Sequence, residues 1–256
     1  MHESSGDRET ENAVASAADP RVRHLKTVQP VSMTENWERA LSCAARDYVT
    51  FIGDDDGVLS DACAAAARIL DQHTADLLSW RPDCYFWPKY VSAGQRNRFR
   101  CPYSHLPMIY NSFVSKDLVQ RVRKQMGHYF FGTAPDVVSG IVNAVFSESS
   151  LLSERPLSCS GLSHQSTGHR IYFSGDDASG REATLQMLSP GSGGAPPRNL
   201  ALFIEAEMET AKRFLFPNEA PGLDHNSLVW SALQLLDAQS AQYPAMMAEI
   251  EQNLMA

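Results

Sequence analysis

The chain has 256 residues, with 22 Lys and Arg against 30 Asp and Glu, a formal net charge of -8 and a pI near 5.5. That length fits one large core, and the acidic balance excludes a protein whose main work is gripping a polyanion, so nucleic acid is not an expected partner. Residues 1–19 are polar rather than signal-like, no apolar run reaches the roughly 20 residues of a bilayer span, and Cys43, Cys63, Cys84, Cys101 and Cys159 show no C-x-x-C pair, which together point to a cytoplasmic chain with reduced thiols, free or peripheral to a membrane face.

In chain order, Val22 to Lys26 reads as a short strand, followed after Pro30 by a helix from about Glu35 to Ala45. Thr34 is its expected N-cap, and Trp37, Ala40, Leu41 and Ala44 recur at helical spacing. Tyr48 to Ile52 is short and rich in β-branched and aromatic residues, hence a buried strand, and it ends in Gly53-Asp54-Asp55-Asp56-Gly57. Ser60 or Asp61 is placed to cap the Ala-rich helix through Leu70, and Asp76 to Trp80 is the next strand. From Arg81 to Asn111 the pattern is irregular, with Pro82, Pro88, Pro102 and Pro107 among aromatics, as in an acceptor-side loop or hairpin. Lys116 to Gln125 and Asp136 to Phe146 are expected helices, Ser189 to Arg198 a Gly/Pro-rich linker, and Asn199 to Phe214, Ser227 to Ala238 and Pro244 to Leu254 helices again. The alternation of strands and helices predicts an α/β layer with a mostly parallel sheet, whose ligands bind beyond the carboxyl ends of the strands, where the acidic turn falls.

Consecutive carboxylates on one turn repel each other, and a bound cation offsets the charge. Mg2+ or Mn2+ suits them, because such hard ions take one or two carboxylates and complete their shell with water and phosphate oxygens. The alternative is a solvated acidic turn whose Asp residues cap the following helix.

Asn36-Trp37-Glu38-Arg39-Ala40-Leu41 with Tyr48-Val49-Thr50-Phe51-Ile52-Gly53-Asp54-Asp55-Asp56 resembles the N-W-x-x-A-L and Y-V-x-x-x-G-D-D-D segments of family 2 glycosyltransferases. The resemblance resumes at Thr133-Ala134-Pro135-Asp136-Val137-Val138-Ser139-Gly140 and takes in Arg155-Pro156-Leu157 and the Gly161 to Gly168 loop. It implies a GT-A-like (Rossmann-like) domain, taken over 1–188; the Gly/Pro-rich linker at 189–198 and the helical extension over 199–256, which matches no family motif and is open to a role in oligomerisation or acceptor binding, are read from composition and periodicity. The resemblance also implies transfer of a sugar, with inversion, from a nucleoside-diphosphate sugar to a glycan or lipid-linked acceptor. Asp56 would hold the metal, Asp54 lie near the donor ribose with Asp55 beside it, Asn36 contact the donor, and Asp136 act as the base. Beside Pro135, Asp136 is equally suited to capping a helix. His2-Glu3-Ser4-Ser5-Gly6-Asp7 resembles the end of the family's second strand and its D-x-S-x-D turn, with Asp7 at the later Asp. The family's opening strand and helix are therefore expected to be missing.

Arg96, Arg98 and Arg100 would face a diphosphate or an anionic acceptor, or form a solvated edge, and His164 lies where a loop would close over the donor. Asp176 and Asp177 read as turn residues. Two other functions stay open: a binding or scaffold protein that keeps the acidic turn without catalysis, and a nucleotidyltransferase, which lacks a supporting Gly-rich phosphate loop.

Overall fold

A computed structural model of the chain describes residues 2–3, 8–29, 31–86, 106–162, 166–167, 184, 188, 197–216, 218, 225–234, 236 and 243–254. The strands are β1 (His2–Glu3), β2 (Leu25–Lys26), β3 (Tyr48–Val49), β4 (Gly57–Val58), β5 (Leu77–Trp80), β6 (Asp83–Phe86), β7 (Ser112–Ser115), β8 (Ser150–Ser153) and β9 (Ser158–Leu162). The helices are α1 (Glu9–Ala17), α2 (Met33–Ser42), α3 (Ala62–Gln72), α4 (Lys116–Met126), α5 (Pro135–Phe146), α6 (Leu200–Leu215), α7 (His225–Gln234) and α8 (Tyr243–Leu254), with a 3-10 turn at Ile109–Asn111.

The central sheet runs β3-β7-β5-β8, with β4-β9-β6 and β1-β2 beside it. Strands β1 and β2, β5 and β8, and β6 and β9 pair in parallel. β7 lies antiparallel to both β3 and β5, as β4 does to β9, so the sheet is more mixed than the strand-helix alternation suggests. The 109–111 turn leads straight into β7, which lies between β3 and β5 and runs opposite to both.

β5 is buried on both faces. Leu77 joins the cluster with Leu118, Val122, Val138 and Val142 of α4 and α5, while Leu78 and Trp80 pack on Ala62, Ala65 and Ala66 of α3. Trp80 Nε1 donates to Ser158 Oγ at 2.8 Å, satisfying the buried indole. Helices thus cover both faces of the sheet, which a two-sided apolar strand requires. α6 adds Phe203 and Ile204 to a cluster with Ala134 and Val137 of α5, and its other side packs Ala201 and Leu202 on Ala232 and Ile250 of α7 and α8.

Three local expectations change. α2 starts at Met33 because Ser32, not Thr34, is its cap: Ser32 Oγ accepts from Glu35 N at 3.1 Å, the Ser-x-x-Glu pattern of a helix start. Thr34 instead donates its hydroxyl to Gly132 O at 2.7 Å. The strand expected over Tyr48 to Ile52 ends at Val49, because the 109–111 turn stands opposite the next residues and takes their bonds. Thr50 Oγ1 and Phe51 N both donate to Ile109 O, at 2.9 and 3.1 Å, and Ile52 is left 47% exposed. Asp61 precedes α3 without capping it, since its carboxylate accepts from Arg155 Nη2 at 2.6 Å.

Among the described residues no helix is long and apolar enough to cross a membrane.

Candidate active site

β3 delivers the chain to the acidic turn, and the turn closes on itself. Gly53 N donates to Asp56 Oδ2 at 2.8 Å, and Asp56 N donates to Gly53 O at 3.3 Å. The segment after β8 wraps it: Gly161 N donates to Asp56 Oδ1 at 2.9 Å, Ser160 Oγ lies 3.4 Å from the same oxygen, and Ser166 Oγ donates to Asp55 Oδ2. The two stretches that the sequence joins by resemblance, 53–57 and the start of the 161–168 loop, therefore meet in space. Asp54 is exposed, while Asp55 and Asp56 are half-buried. Burial pushes the Asp55 carboxyl up, the Ser166 hydroxyl pulls it back, and the charges of Asp56 and Asp54 add to the rise.

Asp136 opens α5 from its second position. Ala134 is the N-cap and Pro135 the first helical residue, so Asp136 stands inside the first turn, where its carboxyl meets the amides of that turn. Its carboxyl is pushed up to about 6, chiefly by burial and further by the negative charge of Glu207, while the amides of Val137 and Asp136 pull it down. A carboxylate at that level is ionised at neutral pH yet basic enough to take a proton.

Sequence reasoning passed over Tyr110, which lies in the 109–111 turn against Trp37. Burial pushes its phenol well above the ordinary range, and the charges of Asp136, Asp56, Asp55 and Asp54 push in the same direction. The charges of the acidic turn and of Asp136 thus both act on one phenol. Its ring meets Trp37 edge-on at 5.0 Å, and Trp37 also contacts Phe51 at 5.2 Å and Phe130 at 5.4 Å. Ser139 fixes the distance between α5 and the 109–111 turn: Ile109 N donates to Ser139 Oγ at 3.0 Å, and that hydroxyl donates to Asp136 O at 2.6 Å. Gly140 permits the approach, because a Cβ there would stand 2.7 Å from Leu106 Cβ and 2.9 Å from Met108 Cγ.

Asn36 is half-buried in the first turn of α2, next to Trp37. Arg155 pairs with Asp61 at 2.6 Å, away from the acidic turn's own hydrogen bonds. Asp7, the Arg96-Arg98-Arg100 series, His164, Asp176 and Asp177 lie outside the described residues.

Against solved structures the chain aligns with residues 1–349 of S. aureus TarS, a glycosyltransferase, in complex with UDP-GlcNAc: 12% identity, 97% of this chain, 77% of that chain, TM-score 0.52. The chain has a GT-A-like glycosyltransferase fold. Structures of the same protein without ligand and with UDP align over 97% of the chain with TM-scores of 0.49, at 12% and 11% identity. No protein-family model and no curated protein matches the chain.

Proposed function

We propose that the protein transfers a sugar from a nucleoside-diphosphate sugar to a hydroxyl of a glycan or lipid-linked acceptor, as a family 2 glycosyltransferase acting with inversion. The observation that carries this reading is the acidic turn Asp54–Asp56, closed by hydrogen bonds from Gly53, Gly161 and Ser166, within a GT-A-like fold. A turn of carboxylates suits a metal-bound diphosphate, and a carboxyl raised by burial, as at Asp136, suits a proton acceptor.

In this reading Asp136 takes the proton from the acceptor hydroxyl as that oxygen attacks the anomeric carbon. Asp54, Asp55 and Asn36 hold the nucleotide part of the donor, and Asp7 is assigned to donor binding by its match to the later Asp of the D-x-S-x-D turn. The turn fits Mn2+ or Mg2+ held through Asp56. Asp56 Oδ2 accepts from Gly53 N and keeps a second lone pair, while Oδ1 takes Gly161 N and Ser160 Oγ, and a cation would offset the Asp54 and Asp56 charges that add to the burial-driven rise at Asp55. Among the described residues no group of three or more His, Cys, Asp and Glu gathers as an all-protein cage, the arrangement that ions completing their shell from phosphate and water do without. Such an ion, when bound, neutralises charge growing on the departing diphosphate. The solved relative carries UDP-GlcNAc, which makes a UDP-sugar the first donor to test. The division into a 1–188 domain, a 189–198 linker and a 199–256 helical extension belongs to the same proposal.

A second reading, a binding or scaffold protein without catalysis, draws on one observation: Asp56 already has both oxygens engaged by backbone amides. Steady-state turnover of UDP-sugars separates the two. The transfer reading expects sugar release or transfer by the wild type and a loss of at least about a hundredfold in kcat for Asp136→Asn. Equal turnover by that variant removes Asp136 as the base.

A further inference from the structure

One buried carboxylate outside the acidic turn has partners that tie it to the site. Glu207 stands on α6, 6% exposed, on the stripe that also buries Phe203 and Ala211. Its oxygens accept from Thr133 N at 3.2 and 3.0 Å, from Ala134 N at 3.2 Å, and from the Thr133 hydroxyl. Ala134 is the N-cap of α5 and has no side-chain acceptor, and the amides of Thr133 and Ala134, just before the helix, need an acceptor from elsewhere. Glu207 supplies it from another helix.

The turn is shaped for that approach. Gly132 has φ of 71°, and a Cβ on it would collide with Glu207 Oε2 and come within 3.3 Å of Val138 Cγ2. Gly132 O in turn accepts from Thr34, which ties the turn to α2. Glu38 of α2 acts in the same manner on the chain just before: its Oε2 accepts from Tyr129 N at 3.1 Å and Phe130 N at 3.0 Å, while Oε1 holds Arg123. The stretch 129–134 is therefore gripped by a carboxylate at each end, one from α2 and one from α6.

We propose that Glu207 is the positioning residue for Asp136: by accepting the Thr133 and Ala134 amides it fixes where α5 begins, and so where the Asp136 carboxylate stands relative to Tyr110 and the acidic turn. The titratable groups facing Asp136 among the described residues are Glu207 from α6 and Tyr110 from the 109–111 turn, both acids. Glu207 thus acts on Asp136 in two ways, through the backbone and through its charge, which opposes ionisation of its neighbour. The catalytic consequence rests on the transfer reading above; the structural coupling does not.

The test is a carbon-13 carboxyl titration of Asp136, assigned by its loss in Asp136→Asn, in the wild type and in Glu207→Gln. Gln keeps the size and one acceptor oxygen but not the charge. Asp136 is expected to titrate at lower pH in the variant. In turnover of a UDP-sugar the acidic limb of the kcat profile moves to lower pH with it, kcat falls about tenfold or more, and the donor KM is unchanged. Thr133→Val, which removes one donor and leaves the charge, is expected to lower kcat without moving the limb. That pair of results distinguishes positioning from a merely structural role. An Asp136 titration that stays in place in Glu207→Gln overturns the proposal whatever the turnover. A wild type that turns over no UDP-sugar overturns the transfer reading instead, and the titration alone then decides whether Glu207 governs Asp136.

Discussion

Asp136→Asn should make the protein more stable while it removes the proposed base. The Asp136 carboxyl is held at about 6 against an ordinary 3.8. At roughly 1.4 kcal/mol for each pH unit, the ionised form costs the native state about 3 kcal/mol as an upper bound. Residual solvent contact screens part of that, and an Asn loses the favourable meeting of a negative charge with the helix start, worth about 0.3–1 kcal/mol. A net gain of about 1–2 kcal/mol remains. The sign follows from linkage: with the folded-state value raised, the wild type is relatively most stable below pH 3.8 and loses that advantage as pH rises through about 6. Urea denaturation at pH 8 and at pH 4 is the assay, with the gain present at pH 8 and nearly gone at pH 4. If Asp136 were there to cap α5, the substitution would be neutral or mildly destabilising, because Asn and Asp cap equally well. A variant no more stable than the wild type at pH 8 refutes the reasoning.

Gly140→Ala gains about 1 kcal/mol of helix propensity but forces a Cβ to 2.7 Å from Leu106 Cβ, and such overpacking costs about 1–3 kcal/mol. The clash should win, lowering Tm by a few degrees and shifting the emission of Trp37 as the 109–111 turn moves; a raised Tm would contradict the packing. Asp76 is expected to carry acid sensitivity. Burial alone would raise its carboxyl, but the Glu148 amide, Arg121 and Ser115 together hold it below the ordinary value. Its stabilisation is present above pH 3.8 and lost as pH falls through the lower folded value, so Asp76→Asn should lose about 1–3 kcal/mol at pH 7 in denaturant titrations and show a flatter stability profile in acid.

Much of the fold was legible because local chemistry and burial agree. The helices at 116–126, 135–146 and 200–215 have clear apolar periodicity, and β5 is a short apolar strand buried on both faces. The acidic turn stood out because three adjacent carboxylates are rare without a purpose. The antiparallel insertion of β7 was not legible, since nothing in Ser112–Ser115 says which direction its neighbours run. Ser32 was passed over although Ser32 and Glu35 have the spacing of a capping pair, because Thr34 sits closer to the first periodic residue. Tyr110 lay in a Pro-interrupted stretch without periodicity, and its importance comes from Trp37 of α2 and from the charges of the acidic turn and Asp136, which only folding sets around it. Glu207 did leave a trace: it falls four residues after Phe203 and four before Ala211, an acid on the buried stripe of α6. A charge at such a position calls for a partner, and here the partner is the start of another helix.

The account stands or falls on whether the acidic turn grips a nucleoside-diphosphate sugar through a cation. Calorimetric titration with UDP-GlcNAc in manganese, repeated in chelator and with Asp56→Ala, measures this directly. Saturable binding in manganese that both the chelator and the substitution abolish is the predicted result. Heat-silent titrations at every metal concentration, or binding that ignores both changes, would contradict it.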